Sequence, residues 1–520
     1  MVSISRIALS VLLAFSVGGC SFLPEEILHD SASNEQATST QDALSNKESQ
    51  TALSELAHLN WQQHQVEQSS VQIQDSGWDA LAQRLALIET AQKSIDIQYY
   101  IWNSDHSGHY LAKRLLAAAD RGVHVRVMLD DINLNEREDL LTALDSHPNA
   151  EIRIFNPTPS RSGVSKWLSF LGDFSRLNRR MHNKSFTVDG AFSVVGGRNI
   201  GDEYFDLSDE INFRDRDVLV AGAVVEQISD NFDKYWDSRW SYPVTLLGGE
   251  AIDYVDMINA VEAPAYANYP ALPANTEQAK QLLGNVTQQM KWVDAYFVSD
   301  EPVPEDEGNT DVPKQTAVLL AKLAQQSQQE VLLESAYLVF DDRQLAAWQD
   351  LVEEGVVVKA FTNSMESNDL VTNHSAYAGR RKDMLEHGIE LFELKPDSDL
   401  CQESTKDESK CAPAVPYGLH SKSAVFDRKV ATIGSFNFNL RSTYLNTESV
   451  LVIEDEEIAA SLADDIDEVI NEEHSWHLEL VEGKVRWYSE GESWTTEPEV
   501  GRWQRFQSRF YQLLPIEKYL

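Results

Sequence analysis

The chain has 520 residues, of which 42% are hydrophobic and 24% charged, and its formal net charge is −40. This is the composition of a globular protein that is too long for one ordinary core, so two lobes are expected. The negative charge argues against a nucleic-acid-binding protein, because such proteins carry a basic footprint.

The first twenty residues predict a signal peptide that ends at a lipidation site. Arg6 precedes an apolar run over 7–15, which is too short to span a bilayer, and small residues lead directly into Cys20. This order resembles the lipobox of bacterial lipoproteins, with residues 1–19 removed and Cys20 lipidated. An uncleaved anchor or a plain secretory signal is the alternative.

The predicted location is the bacterial cell envelope, with the chain anchored by lipid and facing the periplasm. Ser21 after the lipidated position resembles an outer-membrane address, and the inner membrane is the alternative. Residues 20–63 are rich in Ser, Thr, Gln, Asn and Glu with little apolar periodicity, which predicts a flexible tether.

Helical and strand patterns alternate from Trp78 onward, and the same order returns in the second half. The predicted helices cover 78–93, 109–121, 318–328 and 342–354, and the predicted strands cover 94–101, 123–129, 331–338 and 355–361. Helix alternating with strand, in two copies, predicts an α/β fold with two duplicated lobes. Each lobe is expected to be a mostly parallel sheet covered by helices.

Composition and the internal repeat indicate where the lobes and the segments between them begin and end. We predict a first lobe over 64–247, a linker or crossover over 248–313, a second lobe over 314–475 and a C-terminal extension over 476–520. The linker is rich in proline, contains an acidic run over 300–311 and is expected to carry one helix around 276–289.

One motif occurs twice with the same spacing. It reads His-x-Lys, four residues, Asp, six residues, Gly-Gly or Gly-Ser, one residue, Asn. The first copy consists of His182, Lys184, Asp189, Gly196, Gly197 and Asn199, and the second of His420, Lys422, Asp427, Gly434, Ser435 and Asn437.

These residue types suit the binding of a phosphoryl group. A His and a Lys two apart on a strand point to one face, glycines let the backbone approach a ligand, and the Asn amide donates hydrogen bonds. A single copy would more often be an ordinary strand, turn and strand. Its repetition predicts one active site at a pseudo-twofold interface between the lobes.

The paired motifs and the repeat around them resemble the phospholipase D superfamily. Residues 196–205, 434–437 with Arg441 and Ser442, and 503–517 are similar to its cardiolipin synthase C-like branch. The resemblance implies a covalent phosphohistidine mechanism without metal or cofactor. Metal-ligand spacings such as His-Glu-x-x-His, and a Gly-x-Ser-x-Gly elbow, do not occur in the sequence.

The resemblance also implies a role for each motif residue. His182 is expected to be the nucleophile and His420 the general acid and base. The groups expected to hold the phosphoryl oxygens are Lys184, Lys422, Asn199 and Asn437.

Each catalytic imidazole needs an acceptor for its other ring nitrogen, and the resemblance implies an acidic residue downstream of the motif asparagine. Glu448 fits the second copy, and Asp215 the first, with Asp217 as the alternative. A structural role is expected for the remaining motif positions, which are Asp189, Asp427, Gly197 and Ser435.

The function implied by the resemblance is phosphatidyl transfer, with cardiolipin made from phosphatidylglycerol and a second phospholipid. A hydrolytic phospholipase D is the alternative, and a nuclease or a non-catalytic lipid-binding lipoprotein is less favoured. The expected partners are phospholipids and a membrane surface, without nucleic acid, and the chain is expected to act as a single two-lobed molecule.

Two basic segments with aromatic residues stand out against the acidic background. Residues 161–180, which include Trp167 and Phe170, predict either a membrane-facing lip or a buried amphipathic helix. Near the C-terminus, apolar residues at helical spacing lie on one face and arginines on another, which predicts a basic amphipathic helix that rests on anionic lipid or packs on the lobes. These apolar residues are Trp503, Phe506, Phe510 and Leu513, and the arginines are Arg502, Arg505 and Arg509.

The two cysteines other than Cys20 are predicted to pair. Cys401 and Cys411 lie in a polar segment that leads into the second motif. Because an export signal places them in an oxidising compartment, we expect a disulfide that closes this segment.

Overall fold

The computed structural model describes residues 51–58, 68–132, 138–158, 174–247, 254–266, 268–302, 312–405, 408–411 and 414–512. The predicted signal peptide, Cys20, most of the tether, Trp167, Phe170 and Leu513 lie outside these ranges.

The elements are numbered in chain order. The strands are β1 (Ser69–Gln74), β2 (Ser94–Tyr99), β3 (His124–Asp130), β4 (Ala150–Phe155), β5 (Ser185–Val188), β6 (Phe192–Gly196), β7 (Asn212–Arg214), β8 (Asp217–Gly222), β9 (Ser241–Pro243), β10 (Lys291–Ser299), β11 (Glu330–Ser335), β12 (Val357–Asn363), β13 (Glu390–Leu394), β14 (Tyr417–Leu419), β15 (Lys422–Phe426), β16 (Val430–Gly434), β17 (Ser449–Glu454), β18 (Ser475–Val481), β19 (Lys484–Ser489) and β20 (Glu492–Trp494). The helices are α1 (Ala52–His58), α2 (Gly77–Thr90), α3 (His106–Asp120), α4 (Glu138–Asp145), α5 (Phe174–Leu177), α6 (Val224–Trp236), α7 (Tyr254–Ala260), α8 (Thr276–Thr287), α9 (Gln315–Gln326), α10 (Asp342–Glu353), α11 (Val371–Glu386), α12 (Leu400–Ser404), α13 (Leu440–Tyr444), α14 (Glu456–Val469) and α15 (Arg502–Tyr511).

One continuous sheet runs through both lobes. Pairing follows the order β9-β4-β3-β2-β5-β6-β8-β1 in the first lobe and continues as β10-β17-β16-β15-β11-β12-β13-β18 in the second. The two halves are reversed copies of each other, with β10 in the place of β1 and β11 to β13 in the place of β2 to β4. The predicted duplication of an α/β lobe is confirmed.

The sheet is mixed, where the sequence predicted a mostly parallel one. The pairs β2–β3, β3–β4, β11–β12 and β12–β13 are parallel, because helices α3, α4, α10 and α11 return the chain between them. The motif strands that follow join through short turns, which forces antiparallel pairs such as β5–β6 and β15–β16.

The lobes share a core on one face of this sheet. Val218 and Val220 of β8 belong to the same buried apolar cluster as Leu451 and Ile453 of β17, with helices α6 and α14 covering them. The opposite face of each lobe has its own cluster. In the first lobe, the predicted helical stripe that includes Leu81 packs there.

Two segments outside the predicted lobes add strands to the sheet. β10, within the expected linker, pairs with β1 of the first lobe and β17 of the second. Val293 and Ala295 are buried and Asp294 between them is exposed, as in a half-covered strand, despite the proline-rich surroundings. The C-terminal extension contributes β18 to β20 and α15.

The segment that leads into the second motif is closed by a disulfide between Cys401 and Cys411, and both side chains are buried. It precedes β14, which ends at Leu419 beside His420.

Candidate active site

The two motif histidines lie at the junction of the lobes. His182 stands just before β5, and His420 between β14 and β15. They are 6% and 5% exposed, so both imidazoles are largely withdrawn from water.

The backbone of each histidine is held by the opposite lobe. The His182 N–H donates to the Thr447 carbonyl at 2.9 Å, and the Thr447 N–H donates to the Arg180 carbonyl at the same distance. In the other half, the His420 N–H donates to the Arg214 carbonyl at 2.8 Å, beside the parallel pair of β7 and β14. These backbone hydrogen bonds at His182 and His420 correspond to each other under the pseudo-twofold relation between the lobes.

The carboxylate beside each motif imidazole also comes from the opposite lobe. His182 Nδ1 lies 2.7 Å from Glu448 Oε2, and His420 Nδ1 lies 2.5 Å from Asp215 Oδ2. The sequence placed Asp215 with the first copy and Glu448 with the second, whereas the structure pairs each carboxylate with the histidine of the other copy. The reason is that each histidine docks beside the residue that precedes the opposite acid, Thr447 or Arg214.

A dense set of hydrogen bonds fixes Glu448. Its carboxylate accepts from the Ser435 hydroxyl at 2.5 Å, the Ser442 hydroxyl at 2.7 Å and the Asn446 amide at 3.3 Å. Its N–H donates to Asp300 Oδ2 at 2.9 Å. The carboxylate therefore presents a fixed acceptor to the imidazole.

Asp215 is fixed by a different arrangement. Its Oδ1 accepts from the Arg216 N–H at 2.7 Å, and a Cβ at Gly197 would lie 2.2 Å from the same oxygen. Gly197 therefore leaves the room that Asp215 occupies, while Ser435, at the same position of the second motif, donates to Glu448 instead.

Asp217, the alternative to Asp215, has other partners. It forms a buried ion pair with Arg84 at 2.7 Å, and its carboxylate also lies 3.6 Å from the Arg198 guanidinium. We therefore assign Asp217 to the scaffold beneath the site.

The motif lysines are buried beside the histidines. Lys184 Nζ donates to the His182 carbonyl at 2.8 Å, and Lys422 Nζ donates to the His420 carbonyl and lies 3.1 Å from His420 Nδ1. Burial lowers the pKa of Lys184 to about 7, with Glu448 opposing the shift and Lys422 adding to it. Burial likewise lowers the pKa of Lys422 to about 8. Two buried ammonium groups favour a bound anion.

Burial also keeps both imidazoles neutral. It lowers the pKa of His182 to about 4 and that of His420 to about 3, against the opposing effect of Glu448 and Asp215. Burial raises the pKa of both carboxyls, but their histidines hold the pKa of Glu448 and of Asp215 below the ordinary values. The neutral tautomer with Nδ1–H donating to the carboxylate leaves each Nε2 with a free lone pair.

The two motif asparagines differ. Asn199 Oδ1 accepts from the Ile101 N–H at 3.3 Å, and its amide donates to the Tyr204 hydroxyl at 3.0 Å. Asn437 is 4% exposed, and its Oδ1 has no hydrogen-bond partner among the described residues. The Asn437 side chain is therefore less committed to protein partners than that of Asn199.

The motif aspartates hold backbone rather than substrate groups. The Asp189 carboxylate accepts from the N–H groups of residues 92–94 at 2.7 to 3.2 Å, and the Asp427 carboxylate accepts from those of residues 328–330 at 2.8 to 3.1 Å. Each aspartate thus ties the turn after its motif strand to the start of β2 or β11.

Sequence reasoning missed a pair of residues that position the histidine loops. Asp130 ends β3 and accepts from the Met181 N–H at 2.9 Å, while Asn363 ends β12 and accepts from the Leu419 N–H at 2.7 Å. A polar residue at the carboxyl end of an apolar strand was the available signal in both lobes.

Aromatic rings that were also missed line the imidazoles. Tyr100 lies edge-on to His182 with ring centroids 4.7 Å apart, and Tyr204 lies edge-on to His420 at 5.0 Å. These rings restrict the orientation of the imidazole planes, and they leave the hydrogen bond between each Nδ1 and its carboxylate intact.

Comparisons with known proteins identify the family of this chain. A family model described as "Cardiolipin synthase, PLD-like domain" matches residues 85–236 and 320–470, which are the two lobes. The chain is 37% identical to cardiolipin synthase C of Escherichia coli (strain K12) over 448 residues, which cover 84% of this chain and 93% of that one. It is 25% identical over 382 residues to a cardiolipin synthase of Oceanobacillus iheyensis, covering 73% of this chain and 64% of that one.

A solved structure shares the fold. The phosphatidylserine synthase of Haemophilus influenzae Rd KW20 superposes with a TM-score of 0.55 at 13% identity, covering 86% of this chain and 95% of that one. The chain belongs to the phospholipase D superfamily and to its cardiolipin synthase-like branch. None of the helices in the described ranges combines the length and apolar character that a bilayer-spanning segment requires.

Proposed function

We propose that this protein is a phosphatidyltransferase that joins two phospholipids into cardiolipin, with phosphatidylglycerol as one substrate. The observation that carries the proposal is the pair of buried, neutral imidazoles, each held by a carboxylate of the opposite lobe and each flanked by a buried lysine. Two imidazoles and two cations around one anion are the groups that a double displacement at phosphorus requires.

In the first step, His182 Nε2 attacks the phosphorus of the donor phospholipid. A P–N bond forms, the P–O bond to the headgroup alcohol breaks, and protonated His420 gives its proton to the leaving oxygen. His420 binds this proton when the phosphodiester anion enters, because a nearby negative charge raises the pKa of an imidazole. Glu448 stabilises the charge that develops on His182.

In the second step, the hydroxyl of the acceptor phospholipid displaces His182. His420 Nε2 takes the hydroxyl proton, a P–O bond forms, and the P–N bond breaks. Lys184, Lys422 and the Asn437 amide, with Asn199 beside them, stabilise the charge on the phosphoryl oxygens in both steps. If water replaces the acceptor alcohol, the product is phosphatidic acid, which is the hydrolase alternative.

The proposed location follows from the N-terminal sequence. We place the enzyme in the bacterial envelope, anchored by lipid at Cys20 after removal of residues 1–19 and facing the periplasm, with Ser21 favouring the outer membrane. The Cys401–Cys411 disulfide supports an oxidising compartment. The two lobes and the strand between them then act as one molecule on phospholipid substrates.

Product analysis tests the proposal. Purified protein is supplied with phosphatidylglycerol that carries separate labels in its acyl chains and its headgroup glycerol. We expect labelled cardiolipin and free glycerol from the parent and neither from His182→Ala. Phosphatidic acid as the only lipid product would assign the hydrolase activity instead.

A further inference from the structure

The C-terminal helix α15 exposes an aromatic face. Trp503, Phe506 and Phe510 follow one another at helical spacing and are 67%, 60% and 53% exposed. The rings of Trp503 and Phe506 stack with centroids 5.5 Å apart. Large contiguous exposed apolar surface of this kind marks an interaction site.

The opposite side of α15 is fastened to the second lobe, so the exposed face has a fixed orientation. The helix packs against α11, and its Ser508 is buried. Arg505 donates to the Glu497 carbonyl at 2.6 Å, and Gln504 donates to the Glu366 carboxylate at 3.2 Å. The rings are therefore presented outward by a helix whose other side is already packed.

The positive charge beside these rings indicates the kind of partner that the face would bind. Arg502 and Arg509 are exposed on the same helix, whereas the whole chain carries a net charge of −40. Aromatic rings and arginines together are typical of helices that lie in the interface of an anionic bilayer. Tryptophan in particular favours the headgroup level, where its ring is half in water and half in lipid.

Helix α15 lies one loop away from the motif histidine of the second lobe. Glu366, the partner of Gln504, belongs to the loop over 364–370 that joins β12 to α11. In this loop the Ser367 hydroxyl donates to Asn363, the residue that holds Leu419 beside His420. Leu370, which ends the loop, is 48% exposed.

We propose that the exposed face of α15 docks on an anionic phospholipid bilayer and so holds the entrance of the site against its substrate surface. This inference rests on the proposed function, because it takes the bilayer as the source of substrate. A polar phosphodiester headgroup then reaches the buried lysines over the length of one loop, without transfer of the whole lipid through water.

Environment-sensitive labels test this contact at single positions. The full chain carries Cys20→Ser, which removes the predicted lipid anchor, and His182→Ala, which stops turnover, so that docking is read independently of the proposed reaction. A fluorophore is attached at Phe506→Cys, or, as the matched control, at Val357→Cys. Val357 is 41% exposed and begins β12, a strand length of about 20 Å from Asn363 at its other end.

We expect the label at position 506 to shift to the blue on addition of vesicles of phosphatidylcholine with phosphatidylglycerol, and to shift less with phosphatidylcholine alone. The label at position 357 should not respond. A label at 506 that stays in water in the presence of anionic vesicles would overturn the proposal. So would one that is shielded before vesicles are added, since another segment or a second copy would then cover the face.

A second variant measures the contribution of the rings. Replacement of Trp503, Phe506 and Phe510 together by Ser should lower partition onto anionic vesicles by roughly tenfold or more. The matched control, Leu246→Ser with Val357→Ser, removes exposed apolar side chains elsewhere and should leave partition unchanged. Circular dichroism verifies that both variants fold, and equal loss in both would contradict the proposal.

Discussion

Glu448 of the second lobe holds His182 of the first, with Oε2 and Nδ1 2.7 Å apart. Asp215 of the first lobe holds His420 of the second in the same way. Each motif histidine takes its carboxylate from the opposite lobe, so the proposed reaction centre is complete only when the two halves are assembled. The continuous sheet and the common core hold the two lobes in the alignment in which these contacts form.

The crossed pairing predicts which imidazole responds to each substitution. Glu448→Gln keeps the shape of the side chain but removes the charge that stabilises the His182 imidazolium, so kcat should fall by roughly 10²- to 10⁴-fold with little change in KM. Asp215→Asn should act similarly through His420. Nitrogen NMR should then report a changed His182 environment in Glu448→Gln and a changed His420 environment in Asp215→Asn, whereas the reverse assignment would contradict the pairing.

The buried lysines should lower the free energy of unfolding, because their burial serves anion binding and not the stability of the fold. Because burial lowers the folded-state pKa of Lys184 to about 7 from an ordinary value of 10.5, the unfolded chain binds more protons between these pH values. Stability therefore rises with pH across this window. Lys184→Met should abolish activity and raise the free energy of unfolding by roughly 1–3 kcal/mol at and below pH 7.

Denaturant titrations at several pH values check this prediction. The gap between parent and Lys184→Met should narrow as the pH rises above about 7 and close near 10.5. An exposed lysine provides the control, and Lys382, in a surface ion pair with Glu386, should show no such dependence when replaced by Met. A gap that widens with rising pH would mean that Lys184 is not destabilised by burial.

Asp300 should matter for catalysis although it lies in the predicted linker. It is 2% exposed, its carboxylate accepts from the Glu448 N–H and from the Thr316 N–H and hydroxyl, and its own N–H donates to the Glu448 carbonyl. Asp300→Ala should destabilise the fold by roughly 1–3 kcal/mol and lower kcat by displacing Glu448. The neighbouring Glu301→Ala, which removes an exposed ion pair with Lys234, should leave the kinetics unchanged.

Substitution of a motif aspartate should lower stability and leave catalysis nearly unchanged. Asp189→Asn removes the charge that three backbone N–H groups share, so the free energy of unfolding should fall by roughly 1–3 kcal/mol. At temperatures where the variant is folded, kcat should remain within a few-fold of the parent. Loss of kcat as large as that of His182→Ala would give Asp189 a chemical role that its position does not support.

The sequence was sufficient for the parts of the site that repeat. His182 and Lys184 recur as His420 and Lys422 at identical spacing, and the structure brings all four to one buried junction. The predicted helices and strands also occur within a few residues of their expected bounds, because their apolar periodicity is strong. The helix predicted over 78–93, for example, covers Gly77–Thr90.

Contacts between distant segments could not be read in the same way. Spacing along the chain assigned Glu448 to the nearer histidine, but the choice between the two histidines depends on how the lobes dock. Asp300 looked like one member of an acidic run, and only the tertiary fold distinguishes it from the exposed Glu301 beside it. The antiparallel pairs were not predicted, because strands joined by a short turn and strands joined by a helical crossover have similar apolar sequences.

Peptide mapping of the trapped intermediate tests the central claim most directly. Protein incubated with phosphatidylglycerol labelled at its phosphorus is quenched in alkali, in which phosphohistidine survives, then digested and sequenced by mass spectrometry. The account predicts a phosphatidyl group, or the glycerophosphoryl group left after loss of the acyl chains, on the peptide that contains His182, and none in His182→Ala. An adduct on His420 instead, or turnover by a His182→Ala variant, would contradict it.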